Sequence, residues 1–250
     1  LLGRAATLGA DRLATGHYAR IGHDSITGRR TLLRARDLAK DQTYFLYNLT
    51  QDQLDRVVFP VGEMSKQTVR DLASTHTLPN AAKPESQDIC FVPEGRYTDV
   101  IRRESGGTGP PGEIVDTRGT VLGRHEGLAG FTVGQRRGLG LNDPRRLYVV
   151  ALHPESNRVI VGEEREQYGS HLPAVDANWV SIPEPLSPFT ALARIRSTHP
   201  GAPARVTPFP EGRFEVEFEA EQRAITPGQA VVLYDGDRVL GGGTIAASVV

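Results

Sequence analysis

The C-terminal third of the chain constrains the fold most, because its apolar and polar residues alternate with the period of two that half-buried β-strands require. Four short runs from about residue 166 onward carry the pattern: ALARIRS, FEVEFEAE, AVVLYDG and VLGGGTIAASV. Turn-forming sequences such as PFPEGR and DGDR separate them. These features predict an antiparallel barrel or sandwich over residues 165–250. Alternating glutamates at positions 215 to 221 predict one solvated face of that sheet.

The first 92 residues instead mix helical and strand-like patterns. LLGRAATLG places apolar residues on neighbouring helical turns and stops at Gly9, and a short strand at residues 12–15 follows. This order indicates an α/β unit, and we expect its strand to join a sheet begun by residues before Leu1. Ser65 caps KQTVRDLAST, the clearest helix, whereas residues 44–47 indicate a strand or a buried apolar segment.

The middle of the chain, residues 93–164, is rich in glycine and proline. It predicts a helix over 97–105 and a hairpin over 148–162 that turns at 154–157. We expect a small mixed domain here.

Composition excludes several classes of protein. Hydrophobic residues make up 38% of the chain, and no apolar run reaches the 18 residues of a membrane span, which predicts no membrane partner. The single cysteine can form neither an internal disulfide nor a thiolate metal site by itself, so we predict no metal site and a cytoplasmic location. The net charge is −1, but basic residues exceed acidic ones in segments 1–60 and 101–150, where phosphate contacts are therefore expected.

Cys90 lies in KPESQDICFVP, between two prolines that restrict the backbone. A lone cysteine is either a small buried hydrophobe or, on an ordered and accessible loop, a nucleophile. The sequence leaves both alternatives open, and a cysteine hydrolase that pairs Cys90 with one of the seven histidines has no sequence signature to support it.

Other polar groups are equally ambiguous. Residues 15–18, TGHY, follow a strand, where open α/β sheets bind ligands, but they also suit a plain surface turn. Residues 40–42, KDQ, form either a solvated turn or a site with lysine on phosphate and glutamine on a base edge. The arginine pairs at 102–103, 136–137 and 145–146 include one on a glycine-bounded loop, and at least one pair is expected to be plain solvated surface.

Six blocks in the same order closely resemble the tRNA-specific 2-thiouridylases, and together they cover nearly the whole chain. They are ATGHYAR, KDQTYFLY, FPVGEMSKQTVRDLA, KPESQDICFVP, PGEIVDTRGTVLGRHEGLAGFTVGQRRGLGL and YVVALHPESNRVIVG.

The resemblance implies an enzyme that uses ATP, with Mg²⁺, to adenylate the C2 oxygen of the wobble uridine of tRNA. A cysteine persulfide, loaded by an upstream sulfur-donor protein, then delivers sulfur and AMP leaves. It also implies a partial ATP-pyrophosphatase (Rossmann-like) α/β domain over 1–92, a central domain over 93–164 and a C-terminal β-barrel over 165–250.

The family's functional positions fall on nine residues of this chain. Cys90 matches the persulfide-bearing cysteine and Gly16 the glycine that contacts ATP. The remaining matches are to tRNA contacts: His17, Lys40, Asp41, Gln42, Arg194, Ile195 and Gln229.

The chain also departs from the family pattern. The family has a phosphate-cradling loop of the SGGVDS kind and a second cysteine that releases the sulfur and leaves a disulfide, and these 250 residues hold neither. We therefore expect the C-terminal two-thirds of the enzyme, inactive alone. The alternative is a non-catalytic tRNA-binding module.

Overall fold

The computed structural model describes residues 1–79, 81 and 109–247, so Cys90 and the helix predicted over 97–105 lie outside the described residues. The helices are α1 Leu2–Thr7, α2 Thr43–Leu46, α3 Gln51–Arg56 and α4 Lys66–Thr75. The strands are β1 Leu13–Ala14, β2 Ala19–His23, β3 Arg30–Arg34, β4 Val57–Val58, β5 Gly112–Asp116, β6 Val121–His125, β7 Tyr148–His153, β8 Arg158–Gly162, β9 Tyr168–Asn178, β10 Phe189–Arg194, β11 Ala202–Phe209, β12 Arg213–Arg223, β13 Ala230–Asp235 and β14 Arg238–Ile245.

The chain divides into two compact units. Unit 1 comprises Leu1–Lys83, Ser170–Ala220 and Pro227–Val250, and unit 2 comprises Pro84–Gly169 and Glu221–Thr226. The domain boundaries at 92/93 and 164/165 stay a prediction.

A closed barrel organises unit 1, in the strand order β13-β10-β11-β12-β9-β14, with β14 pairing back onto β13. The predicted β-barrel is therefore confirmed. Along β12 the exposed Glu215, Glu217 and Glu219 alternate with buried Phe214, Val216 and Phe218, so the predicted solvated face is present. Closure pairs both edges of the sheet and leaves no open edge within the barrel itself.

The N-terminal elements of unit 1 pack onto β13 and β14. The hairpin of β2 and β3 extends the barrel sheet, because β3 pairs antiparallel with β14 at Leu33 and Arg238. β13 is buried on both faces: Val231 and Leu233 are fully buried, and Val232 and Tyr234, of opposite parity, belong to a cluster that includes residues of β2, β3, α2 and α3. Because both of its faces are buried, β13 is expected to carry a continuous apolar run and not an alternation of apolar and polar residues.

The N-terminal elements of unit 1 can approach β14 closely because residue 242 of that strand is a glycine. A Cβ at Gly242 would lie 2.5 Å from the carbonyl oxygen of Val231 and 2.8 Å from the ring of Tyr47. Only a residue without a side chain lets the barrel strand and the N-terminal layer meet here.

Helix predictions in unit 1 have mixed outcomes. Ser65 caps α4 by accepting from the backbone N–H of Thr68 at 3.1 Å, as predicted. Residues 43–46, in contrast, form α2, so the strand alternative for residues 44–47 is wrong, although Tyr44 and Leu46 are buried. None of the helices in the described part of the chain combines the length and apolar character that crossing a bilayer would take.

Unit 2 contains a four-stranded sheet in the order β6-β5-β8-β7, with β5 and β8 parallel and the other two pairs antiparallel. The hairpin of β7 and β8 is the one predicted from sequence. The core consists of Ile114, Leu139, Leu147, Val149, Val159 and Val161.

Candidate functional site

The TGHY segment lies at the carboxyl end of two short parallel strands, β1 and β4. The N–H of Thr15 donates to the carbonyl of Val58 at 3.1 Å and extends the pairing by one residue. Gly16 and His17 then turn outward and are exposed. Apart from its two chain neighbours, no described residue has an atom within 4 Å of where a Cβ of Gly16 would be, so the backbone there is open to a ligand. This is the strand-end position expected of a binding site.

His17 is held in place by two neighbours. Its Nδ1 lies 2.9 Å from the hydroxyl of Thr15, and its ring meets the ring of Phe59 edge-on at a centroid distance of 6.1 Å. Since Nδ1 is occupied by Thr15, a ligand contact from the His17 ring would be made by Nε2.

Gln42 connects the KDQ triplet to this turn. Its side-chain Oε1 accepts from the N–H of Tyr18 at 2.9 Å, and its own N–H donates to the carbonyl of Tyr18 at 3.0 Å. The two bonds fix the segment that follows His17. They leave the NH₂ of the Gln42 side chain as its donor toward a ligand.

Asp41 is the most buried member of the triplet, since its side chain is only 1% exposed. Its Oδ1 accepts from the N–H of Ala35 at 3.2 Å, and both carboxylate oxygens lie 2.9 Å from the hydroxyl of Thr43. Its Oδ2 also lies 3.3 Å from Nη1 of Arg194 and 3.5 Å from Nε of Arg34. Asp41 therefore joins β3, α2 and the end of β10 through one buried carboxylate.

Arg194 completes this buried network from the barrel side. Its Nε donates to the carbonyl of His199 at 2.8 Å, and Nη2 donates to the carbonyl of Ser197. The guanidinium stacks over the rings of Tyr44 and Tyr234, at 5.9 and 5.6 Å. The positive charge is thus neutralised by Asp41 and enclosed by two aromatic faces.

Tyr44 and Tyr234, whose rings contact Arg194, both stay neutral at physiological pH. Burial raises the pKa of Tyr44 to about 12, and burial likewise raises the pKa of Tyr234. The hydroxyl of Tyr44 donates to the carbonyl of Ala230 at 2.8 Å. This bond places Gln229, the preceding residue, beside the same cluster.

The remaining predicted residues differ in accessibility. Gln229 is exposed, and its carbonyl accepts from the N–H of Ile245 at 2.8 Å, which leaves its side chain available. Lys40 is half-buried at the end of a 3₁₀ turn, Leu38–Lys40. Ile195 is 2% exposed, so a ligand contact from it would come from its backbone. All eight predicted residues that are described thus belong to unit 1, linked through Gln42, Asp41 and Tyr44, and their ligand contacts stay predictions.

A cleft of about 430 Å³ borders the TGHY turn and is lined by Thr15, His17, Gln53, Phe59 and several leucines. Its apolar wall suits an adenine base, but none of its lining residues is a lysine or arginine that would hold a triphosphate. Among residues 1–79, 81 and 109–247, no three His, Cys, Asp or Glu side chains are grouped to hold a metal ion.

Sequence reasoning missed Arg34, Thr43, Tyr44 and Tyr234, which hold the triplet in place. The guanidinium carbon of Arg34 lies 5.6 Å from the centroid of the Tyr234 ring. A usable signal exists for Arg34 alone, because it directly follows the apolar pair Leu32 and Leu33 and lies six residues before KDQ.

Comparison with known proteins places the chain in a family. Three family models match in order: the tRNA methyl transferase HUP domain over residues 1–94, the tRNA methyl transferase PRC-barrel domain over 99–163, and the Aminomethyltransferase beta-barrel domain over 170–245. The first and last agree with the α/β and barrel classes expected from the sequence.

Relatives named tRNA-specific 2-thiouridylase MnmA match along almost the entire chain. The protein from Chloroflexus aurantiacus is 50% identical over 98% of this chain and 68% of its own length. Those from Symbiobacterium thermophilum and Desulfitobacterium hafniense are 49% and 46% identical, over 99% and 98% of this chain and 64% and 69% of their own lengths. With half of its residues identical to such a relative across nearly its full length, the chain belongs to the family of the MnmA tRNA-specific 2-thiouridylases.

Proposed function

We propose that this chain carries the tRNA-binding and sulfur-transferring part of a tRNA-uridine 2-sulfurtransferase. The observation that carries the proposal is the 50% identity, over 98% of the chain, to a relative with that named activity. The connected cluster of Gln42, Asp41 and Arg194 supports it, because it joins residues that are distant in sequence.

The reaction begins with activation of the uridine. An amide-like C2 oxygen is a poor leaving group, so it bonds to the α-phosphorus of ATP and pyrophosphate leaves. The open backbone at Gly16 and the apolar cleft beside it fit the adenosine of ATP. Mg²⁺ would arrive with the phosphates, whose binding groups lie elsewhere than in the described cleft.

Cys90 then supplies the sulfur as a persulfide. The terminal sulfur bonds to C2 of the uridine, the C2–O bond breaks and AMP leaves. Releasing this sulfur from Cys90 requires a second thiol that attacks Sγ of Cys90 and forms a disulfide with it. Because Cys90 is the one cysteine of these 250 residues, that thiol comes from outside them.

The residues matched to tRNA contacts have different roles according to how buried their side chains are. Lys40 and the NH₂ of Gln42 contact the phosphates and the sugar or base edge of the wobble region, with His17 Nε2 beside them. Asp41 and Arg194 act as positioning residues, because their charged groups are buried and satisfied by each other. We place the reaction in the cytoplasm and assign the loading of Cys90 to a persulfide-bearing donor protein.

The test is to express the complete reading frame that contains this sequence and to measure 2-thiouridine in digested tRNA by mass spectrometry. Cys90→Ser should abolish 2-thiouridine, while release of pyrophosphate in the presence of tRNA persists. Normal thiolation by Cys90→Ser refutes the role of Cys90. Tight tRNA binding without pyrophosphate release or thiolation by the wild type identifies a non-catalytic tRNA-binding module.

A further inference from the structure

Unit 2 carries a second basic site, on the loop of residues 131–147. The loop borders a pocket of about 250 Å³ whose wall includes Arg136, Arg145 and Arg146. Leu139 and Leu147, from the same loop, are buried in the core of unit 2. The arginines are therefore mounted on a segment that the core anchors.

The backbone around Arg136 is held before any ligand arrives. The N–H of Gly134 donates to the carbonyl of Val149 at 2.7 Å, and the N–H of Val149 donates back to the carbonyl of Gln135 at 2.9 Å. The side-chain NH₂ of Gln135 also donates to the carbonyl of Arg137 at 3.0 Å. A pre-ordered segment loses little conformational entropy on binding.

The charges of the pocket are not balanced. Arg145 is neutralised by Asp143, with Nε–Oδ1 and Nη2–Oδ2 distances of 2.9 and 2.7 Å. The side-chain bonds from Arg145 hold the pKa of Asp143 down at about 2, so the pair persists at neutral pH. Arg136 and Arg146 are exposed, and neither forms an ion pair with a residue that the structure describes. Within the part of the chain that the structure describes, the charges of Arg136 and Arg146 at the pocket are thus not balanced by an ion pair.

The pocket suits a phosphate group better than a base or a whole nucleotide. Its volume is below the roughly 300–1,000 Å³ of sites for complete small molecules. Its lining holds no aromatic ring on which a base could stack. Guanidinium groups match phosphate oxygens in a bidentate manner, and nothing within 4 Å would obstruct approach to the backbone at Gly140, where φ is +69°.

We propose that Arg136 and Arg146, with the turn of Gly138 and Gly140, bind a phosphate of the tRNA backbone and so add a tRNA contact to those of the KDQ cluster. This proposal rests on the proposed function in that it takes tRNA as the bound polymer. Asp143 serves as a scaffold that holds Arg145 through both its backbone N–H and its guanidinium.

The experiment compares Arg136→Ala/Arg146→Ala with the charge-matched control Arg118→Ala/Arg124→Ala, two exposed arginines of unit 2 outside the pocket. Binding of tRNA is titrated from 50 to 200 mM salt. Each lost phosphate contact lowers the slope of log affinity against log salt by about 0.7–0.9. For one phosphate, the wild type should lose roughly threefold more affinity over this range than the pocket variant does, and the control should follow the wild type.

A pocket variant with the slope of the control overturns the proposal, and so does a variant in which ATP affinity falls while the tRNA slope is unchanged. If the alanine variant misfolds, Arg136→Gln/Arg146→Gln gives the same comparison with longer side chains. Thiolation is measured on the wild type in parallel. Absent thiolation with the expected slope change refutes the proposed function and leaves the pocket standing, whereas normal thiolation with an unchanged slope overturns the pocket alone.

Discussion

Replacing Asp41 by alanine would leave the guanidinium groups of Arg34 and Arg194 partly or fully buried without the carboxylate that both contact. The Asp41 side chain is 1% exposed, and those of Arg194 and Arg34 are 9% and 21% exposed. Water can therefore replace little of the lost interaction. The N–H of Ala35 and the hydroxyl of Thr43 lose the same acceptor.

The expected cost follows from that burial. Removing one partner of a buried ion pair costs about 3–5 kcal/mol, since the other charge stays desolvated. For a chain of this size, such a loss in the free energy of unfolding corresponds to a decrease in Tm of roughly 6–20 °C.

The single tryptophan makes the assay specific to unit 1. Trp179 is 8% exposed and packs against Phe189 and Phe214, so its fluorescence reports unfolding of the barrel. The control is Asp237→Ala, whose carboxylate lies closer to its arginine, Arg20, at 2.8 Å but is 59% exposed. Exposed pairs contribute at most about 1 kcal/mol. Equal losses for the two variants would refute the reasoning that burial, and not ion-pair distance, sets the cost.

Three further predictions concern the same unit. Lys40→Ala with Gln42→Ala should raise the Michaelis constant for tRNA by roughly thirtyfold or more and that for ATP little, as expected for two lost contacts of about 1–3 kcal/mol each; equal shifts in the two constants would show that the triplet is only a solvated turn. Burial raises the pKa of Tyr44 to about 12, so its contribution to stability is complete below pH 10 and declines as pH rises from 10 to 12, by at most about 1.4 kcal/mol per pH unit. Urea unfolding of Tyr44→Phe should show a flatter decline, and an unchanged profile would contradict this. Gly62→Ala would place a Cβ 1.8 Å from a carbonyl oxygen of β2 and should cost at least about 1–3 kcal/mol in tryptophan-monitored unfolding. Gly3→Ala, inside α1 and with nothing within 4 Å among the described residues, should cost nothing and stabilise by up to about 1 kcal/mol; a similar loss for both variants would argue against the steric account.

Local patterns predicted the elements whose determinants are local. The cap at Ser65, the hairpin of β7 and β8 and the solvated face of β12 each depend on residues a few positions apart. The segment that became α2 was ambiguous, because a run of four apolar and aromatic residues fits a helix and a strand equally well.

Such local patterns cannot predict which segments pair when they are far apart in the sequence. Nothing in the sequence of β3 identifies β14 as its neighbour, and nothing in KDQ indicates that Asp41 meets Arg194 from β10. The resemblance to a family matched these residues to functional positions, but only the structure shows that the side chain of Asp41 is buried, with 1% of its surface exposed.

The pairing of β3 with β14 has a consequence for synthesis on the ribosome. Leu33 cannot pair with Arg238 until the ribosome has synthesised the 205 residues that follow Leu33. At about 5–20 residues per second, that interval is roughly 10–40 s. During this time the hairpin of β2 and β3 presents an unpaired strand edge that invites pairing with other nascent chains. Slower translation over this interval is therefore expected to lengthen the time for which this edge stays unpaired.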